Sequence, residues 1–268
     1  MADLRQHLLK EGPGRQHKLN IENRVLLFII WLKTYANLTF LGYVFDISNS
    51  TVSREIMYIL PLFWEYTHRV VQWPTVDQWR QLRNTLEYFE DCVGFIDGTV
   101  HEIERPQDDL EQRNFYDGHH HYHTMSTQVI VDVNKNIRYI HSGFPGRMND
   151  AGQFLALPSI GFTPADALQF PPECYLLAEK GYANRYPIVT PLRVNQLQAM
   201  ANQERQAAKL FNTEVNASRV YIEHVMRHIK TYRAVGMIFR HERQYMTMVV
   251  DICTFLAQRN IELVNALH

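Results

Sequence analysis

What most constrains this chain is a change of hydrophobic period. Up to about residue 90 the apolar side chains recur at helical spacing; from Cys92 to about residue 191 they come mostly in short runs and alternations typical of strands, and helical spacing then returns. A sequence that switches from period 3.6 to period 2 and back has to build helices and a sheet from separate stretches. The expected organisation is therefore a polar segment over 1–20, a helical region over 21–90, and a mixed α/β domain over 91–268.

In the helical region, residues 22–35 carry apolar side chains at 25, 26, 28, 29 and 32, one helical stripe. Residues 38–45 read as a short helix, broken by Asp46-Ile47-Ser48-Asn49, where Ser48 or Asn49 can cap the next helix. That helix is predicted from about Ser50 to Leu60, with Pro61 closing it, and it buries Val52, Ile56 and Ile59. Ser50, Thr51, Ser53 and Arg54 are left near its exposed first turn. This is the pattern of a helix-turn-helix, whose second helix enters the DNA major groove; a helical bundle without DNA contact fits the same pattern. Trp73-Pro74-Thr75 opens a further helix predicted to reach about Glu90.

After Cys92, the run 93–97 reads as a buried strand ending on Asp97. Residues 126–133 and 137–144 form a hairpin around the turn Asn134-Lys135-Asn136. A helix from Asp150 to about Leu157, with Asp150 at its cap, precedes a Pro-rich loop over 158–172. A strand over 174–178 ends at Glu179, a short one follows over 188–191, and the rest is helical. Three strands, helix, two strands and then helices is the order of an RNase H-like domain: a mixed five-stranded sheet with flanking helices. Its first strand lies central with the fourth parallel beside it, so Asp97 and Glu179 face one pocket at the carboxyl end of the sheet.

Arg219, Glu223, Arg227 and Lys230 fall on one face of a helix, beside an apolar stripe of Ile222, Val225, Met226 and Ile229. Either the polar face is laced with ion pairs, or it brings a third carboxylate, flanked by cations, to the other two. Three carboxylates of this kind suit phosphodiester cleavage with two divalent ions roughly 3.5–4 Å apart. Oxygen ligands select Mg²⁺ or Mn²⁺, and the Arg and Lys neighbours would clamp phosphates. The net charge of −1 by itself speaks against a nucleic-acid partner, but it hides a net −7 over residues 91–180 and a net +5 over 181–268. A carboxylate-rich centre beside a basic surface suits a protein that holds cations and grips a polyanion, here double-stranded DNA.

The residues Phe95-Ile96-Asp97-Gly98-Thr99, Tyr116-Asp117-Gly118 with His123, and Gly143-Phe144-Pro145-Gly146 with Asn149-Asp150 resemble the Harbinger family of transposases and transposase-derived nucleases. Leu176-Leu177-Ala178-Glu179-Lys180-Gly181-Tyr182, Thr190-Pro191, Phe211-Asn212, and Arg219 with Glu223 and Lys230 continue the resemblance, which covers about residues 20–265. It implies metal-dependent DNA cleavage and joining, a nuclear setting, and a separate Myb-like DNA-binding partner. By resemblance Asp97 and Glu223 match catalytic and metal-holding positions, with Asp150 and His123 in supporting places. Glu179 stands where the family has aspartate. It is either a working ligand in an adjusted site or the mark of a domesticated, catalytically weak DNA- or chromatin-binding protein. A scaffold whose helices bind only protein partners is a third reading.

Other features exclude more than they suggest. Cys92, Cys174 and Cys253 form no CxxC and read as buried thiols in a reducing compartment. The longest apolar run, residues 25–32, falls short of the roughly 20 residues a membrane helix needs. His119, His120, His121 and His123 invite a zinc reading, but consecutive side chains on an extended segment point to alternate sides, so a surface turn is the default. The stripe Tyr245, Met248, Val249, Ile252, Phe255 and Leu256 serves core or subunit packing, the latter in a homodimer.

Overall fold

The computed structural model describes residues 18–67, 71–182 and 185–265; most of the 1–20 segment lies outside them. The helical region begins with α1 (Ile21–Thr34), capped by the Asn20 side chain, which accepts from the Asn23 amide at 2.9 Å. The helix-turn-helix pair is α2 (Leu38–Phe45) and α3 (Asn49–Thr67). Between them Asp46 takes the left-handed conformation, and Ser48 receives the Thr51 amide on its hydroxyl. The turn is tight: a Cβ at Gly42 would stand 2.7 Å from the Ile47 carbonyl, so the close approach demands glycine here.

Two expectations fail in this region. Pro61 does not close α3, which runs on to Thr67. The proline removes one backbone donor, but the last turns are anchored by Phe63 in the core and by the Trp64 indole, which donates to Asp251 at 2.8 Å. The next helix, α4 (Val76–Arg80), carries a Thr75–Gln78 capping box but stops ten residues short of Glu90. Asn84 turns left-handed, and its amide closes a loop onto the Glu90 carbonyl at 2.7 Å.

The sheet has the expected RNase H-like plan. Its strands are β1 (Cys92–Glu102), β2 (Tyr116–Asp117), β3 (Tyr122–Asp132), β4 (Ile137–Pro145), β7 (Tyr175–Leu177) and β8 (Ile188–Val189). The order is β4-β3-β1-β7-β8, with β1 antiparallel to β3 and parallel to β7; two-residue β2 adds to the free end of β3. β1 does not end at Asp97. It continues to Glu102 because Thr99, Val100 and His101 keep pairing with β3, while its parallel pairing with β7 stops at Phe95–Leu177. Asp97 therefore lies just beyond the last parallel pair. A short helix, α5 (Asp109–Phe115), leads into β2, and the Pro-rich loop contains a small parallel ribbon, β5 (Ile160–Gly161) with β6 (Leu168–Gln169).

Helices cover both faces. On one side the core joins α1 and α3 to β1 and to the C-terminal helices. These are α8 (Asn202–Ser218), α9 (Val220–Lys230), α10 (Arg233–Gly236) and α11 (Met246–Asn265); α7 (Val194–Gln198) precedes them with no buried side chain, and α6 (Asp150–Leu155) packs its Phe154 on the other side. Val249, Ile252 and Phe255 of α11 are buried in that core, which runs without a break across the 90/91 boundary. The second core, on the opposite face, packs Trp79 and Phe170 against Val93, Ile96, Ile130 and Leu176. The three cysteines are free and buried, and burial pushes the Cys92 thiol up to about 12.

Candidate active site

Asp97 projects from β1 with its side chain 15% exposed, and its Oδ1 accepts the Gly98 amide at 2.8 Å. Glu179 follows β7, and Glu223 stands on the first turn of α9. All three converge on Arg219 at the junction of α8 and α9. The guanidinium lies 3.6 Å from Asp97, is ion-paired with Glu179, and stands 3.8 Å from Glu223. Three carboxylates from three distant stretches thus share one cation. α9 reaches the sheet because Ile222, Val225, Met226 and Ile229 are buried beneath it, as their spacing predicts.

Beside this cluster is a cavity of about 570 Å³, lined by Asp97, Asp150 and Glu179 together with Lys230, Arg147, Asp117 and His120. Its electrostatics are dominated by excess negative charge. Burial raises the Asp97 pKa to about 7; Arg219 acts against this, while the charges of Glu179 and Asp150 add to it. Asp150 is likewise raised, by burial first and then by Glu179 and Asp117. The Lys230 ammonium is held below its usual value by burial, with Asp97 opposing.

Asp150 does not cap α6. Asn149 does, accepting the Gly152 amide at 2.8 Å, which leaves the Asp150 carboxyl free to turn toward the sheet. There it packs directly over Gly98, where any Cβ would collide with its Oδ1. The floor is a buried polar chain that the sequence did not announce. The Tyr182 hydroxyl donates to Gln128 at 2.7 Å, Gln128 donates to Gln153 at 3.0 Å, and Gln153 to the Met148 carbonyl at 2.7 Å.

The remaining residues singled out from sequence are distributed as follows. His123 is outside the cavity. Alternation along β3 turns Thr124 inward, and His123 packs edge-on against Tyr116 in a separate shallow pocket with Arg105 and Arg113. His119 and His120 line the cavity instead. Arg227 is exposed on α9, outside the cavity lining, and Arg219 is committed to carboxylates. Ser50 and Arg54 are exposed at the start of α3, with Thr51 and Ser53 half-buried beside them. His101, which sequence reading passed over, is fully enclosed between the Val235 carbonyl and Thr127, and burial lowers its pKa to about 4. Among the described residues, no three His, Cys, Asp or Glu side chains stand close enough to cage one ion as they are, and no helix is long and apolar enough to cross a membrane.

A sheet with strand-borne carboxylates facing a helix-borne one, preceded by a helix-turn-helix, defines a nucleic-acid-processing class, and comparison with known proteins makes it specific. A profile of the DDE superfamily endonucleases matches residues 96–258, and the helix-turn-helix profile of the same superfamily matches residues 17–65. The chain belongs to the DDE superfamily endonucleases. It is 25% identical over 240 residues to a probable transposase for insertion sequence element IS702 from Microchaete diplosiphon, covering 88% of this chain and 79% of that one. It is 24% identical over 164 residues to the protein ALP1-like of Arabidopsis thaliana, covering 61% of this chain and 36% of that protein. No solved structure gives a significant match.

Proposed function

We propose that this chain cleaves DNA phosphodiester bonds in the manner of the Harbinger transposases it resembles, with Asp97, Glu179 and Glu223 holding two divalent ions. The observation that carries this reading is the convergence of those three carboxylates on one guanidinium at the edge of a carboxylate-lined cavity. The donor set fits such ions: the side chains are hard oxygen ligands, and Asp97 is a carboxylate whose ionisation is held back first by burial and then by the charges of Glu179 and Asp150. Mg²⁺ or Mn²⁺ bound there supplies the charge that activates an attacking oxygen and stabilises the leaving one. Asp150 adds negative charge at the sheet edge, and Lys230 balances the phosphate on the opposite side. Arg219 exchanges carboxylates for phosphate as cations and DNA arrive, with Arg227 farther along the helix.

Ser50, Thr51, Ser53 and Arg54 of α3 meet the duplex, so the 21–90 region positions DNA and the 91–268 region cuts it. The nuclear setting, the homodimer and the Myb-like partner rest on the resemblance alone and belong to the same reading. The test is nicking of supercoiled plasmid. The parent nicks with Mg²⁺ or Mn²⁺ and stops when EDTA is added, while Asp97→Ala does not nick under any of these conditions. Equal nicking by Asp97→Ala overturns the proposal.

A further inference from the structure

We propose that His120, oriented by Asp117, is a phosphate contact that fixes the DNA strand inside the cavity, an inference that rests on the nucleic-acid reading above. The pair belongs to the turn between β2 and β3, remote in sequence from Glu179 and Glu223, yet both residues line the same cavity as Asp97. Asp117 is buried and fully engaged. Its Oδ1 accepts the His119 amide at 2.9 Å and the His120 amide at 3.1 Å. Its Oδ2 accepts the Thr124 hydroxyl at 3.4 Å and meets His120 Nδ1 at 2.7 Å. His121 in the left-handed conformation closes the turn, its amide donating to the Asp117 carbonyl at 2.8 Å.

This arrangement does two things to the imidazole. It fixes the ring in one orientation, and it leaves Nε2 as the polar atom free to meet a ligand. The ring is exposed, so holding it this way contributes little to the core. A phosphate entering the cavity meets Asp97, Asp117, Asp150 and Glu179, all repulsive, and the only Lys or Arg side chains among the described lining residues are Arg147 and Lys230. His120 adds a directional contact to these two, standing in front of the Asp117 carboxylate. The rings of His119, centred 5.0 Å away, and Tyr122, 5.6 Å away, flank it and limit its swing.

The experiment measures binding of the full chain to a labelled short duplex by fluorescence anisotropy, in EDTA. It is run at about pH 6, below the ordinary imidazole value of roughly 6.5, from about 50 to 200 mM salt. Each phosphate contact adds about 0.9 to the slope of log affinity against log salt. His120→Gln therefore lowers that slope by about one, and His120→Lys restores it. Asp117→Asn weakens binding in the parent but adds nothing in the His120→Gln background. An unchanged slope in His120→Gln, a loss that lysine fails to restore, additive losses for the two positions, or a parent that binds no duplex each overturns the proposal. The readout involves no cleavage. A chain that shows these responses and never nicks keeps the phosphate contact and loses the nuclease; one that nicks with the His120→Gln slope unchanged does the reverse.

Discussion

Two arginines in this molecule, one buried and one half-buried, meet carboxylates in opposite ways. In the helical region Arg24 of α1 meets Glu55 of α3 at 2.7 Å, with side chains 2% and 4% exposed. At the sheet edge Arg219 is shared among Asp97, Glu179 and Glu223 beside an open cavity. The first is a direct contact sealed between helices, one guanidinium meeting one carboxylate. The second is a mismatch, three carboxylates for one guanidinium, and the charge of Glu179 adds to the burial that raises the Asp97 pKa. Balanced buried charge holds a fold together, whereas unbalanced charge at a cavity is an invitation to cations from outside.

That contrast can be broken by experiment. The largest effect belongs to Glu55→Ala, which removes the buried Arg24–Glu55 bond between two helices and costs about 3 kcal/mol in urea unfolding; a cost near zero would erase the distinction. Asp97→Asn goes the other way. An acid whose folded pKa is near 7, against roughly 4 unfolded, contributes stability that is full below pH 4 and lost as pH rises through 7. The variant should therefore be more stable than the parent at pH 8, on the order of 2 kcal/mol, with the two converging near pH 4. A parent whose stability does not fall between pH 4 and 8 relative to the variant contradicts this. Arg219→Gln, among partly exposed partners, costs about 1 kcal/mol or less, and Mg²⁺ raises its melting temperature more than the parent's. Equal shifts would mean that Arg219 does not stand in for a cation. Smallest is Glu179→Asp, which shortens one side chain by a methylene and should change the nicking rate by less than about tenfold; abolition would show that the extra reach of Glu179 is indispensable.

The strand order and the helix that crosses them were legible because buried strands and an amphipathic stripe are written in apolar spacing. What stayed hidden was settled by local competition between polar groups. Asn149 and Asp150 can both cap α6, and only the fold shows that Asn149 does so, freeing Asp150 for the cavity. Asp117 entered the sequence reading only as part of a family motif, yet it gathers two amides, a hydroxyl and an imidazole. The family resemblance pointed to His123, but strand alternation turns His123 away, and the turn between β2 and β3 brings His119 and His120 to the cavity instead. β1 outlasts Asp97 because a partner strand, invisible in local pattern, keeps pairing with it. Arg219 reads as a phosphate clamp on a helical face, and in the fold its first partners are carboxylates.

The central claim is that Asp97, Glu179 and Glu223 act as one set, and Glu223 tests it most directly, because it touches the set through Arg219 and does not line the cavity. The decisive measurement is nicking of supercoiled plasmid in Mn²⁺ by Glu223→Gln, alongside Asp97→Ala, with melting temperatures recorded for both. The account predicts that a folded Glu223→Gln nicks no more than Asp97→Ala does. Nicking by Glu223→Gln at the parent's rate, with Asp97→Ala inactive, would contradict it.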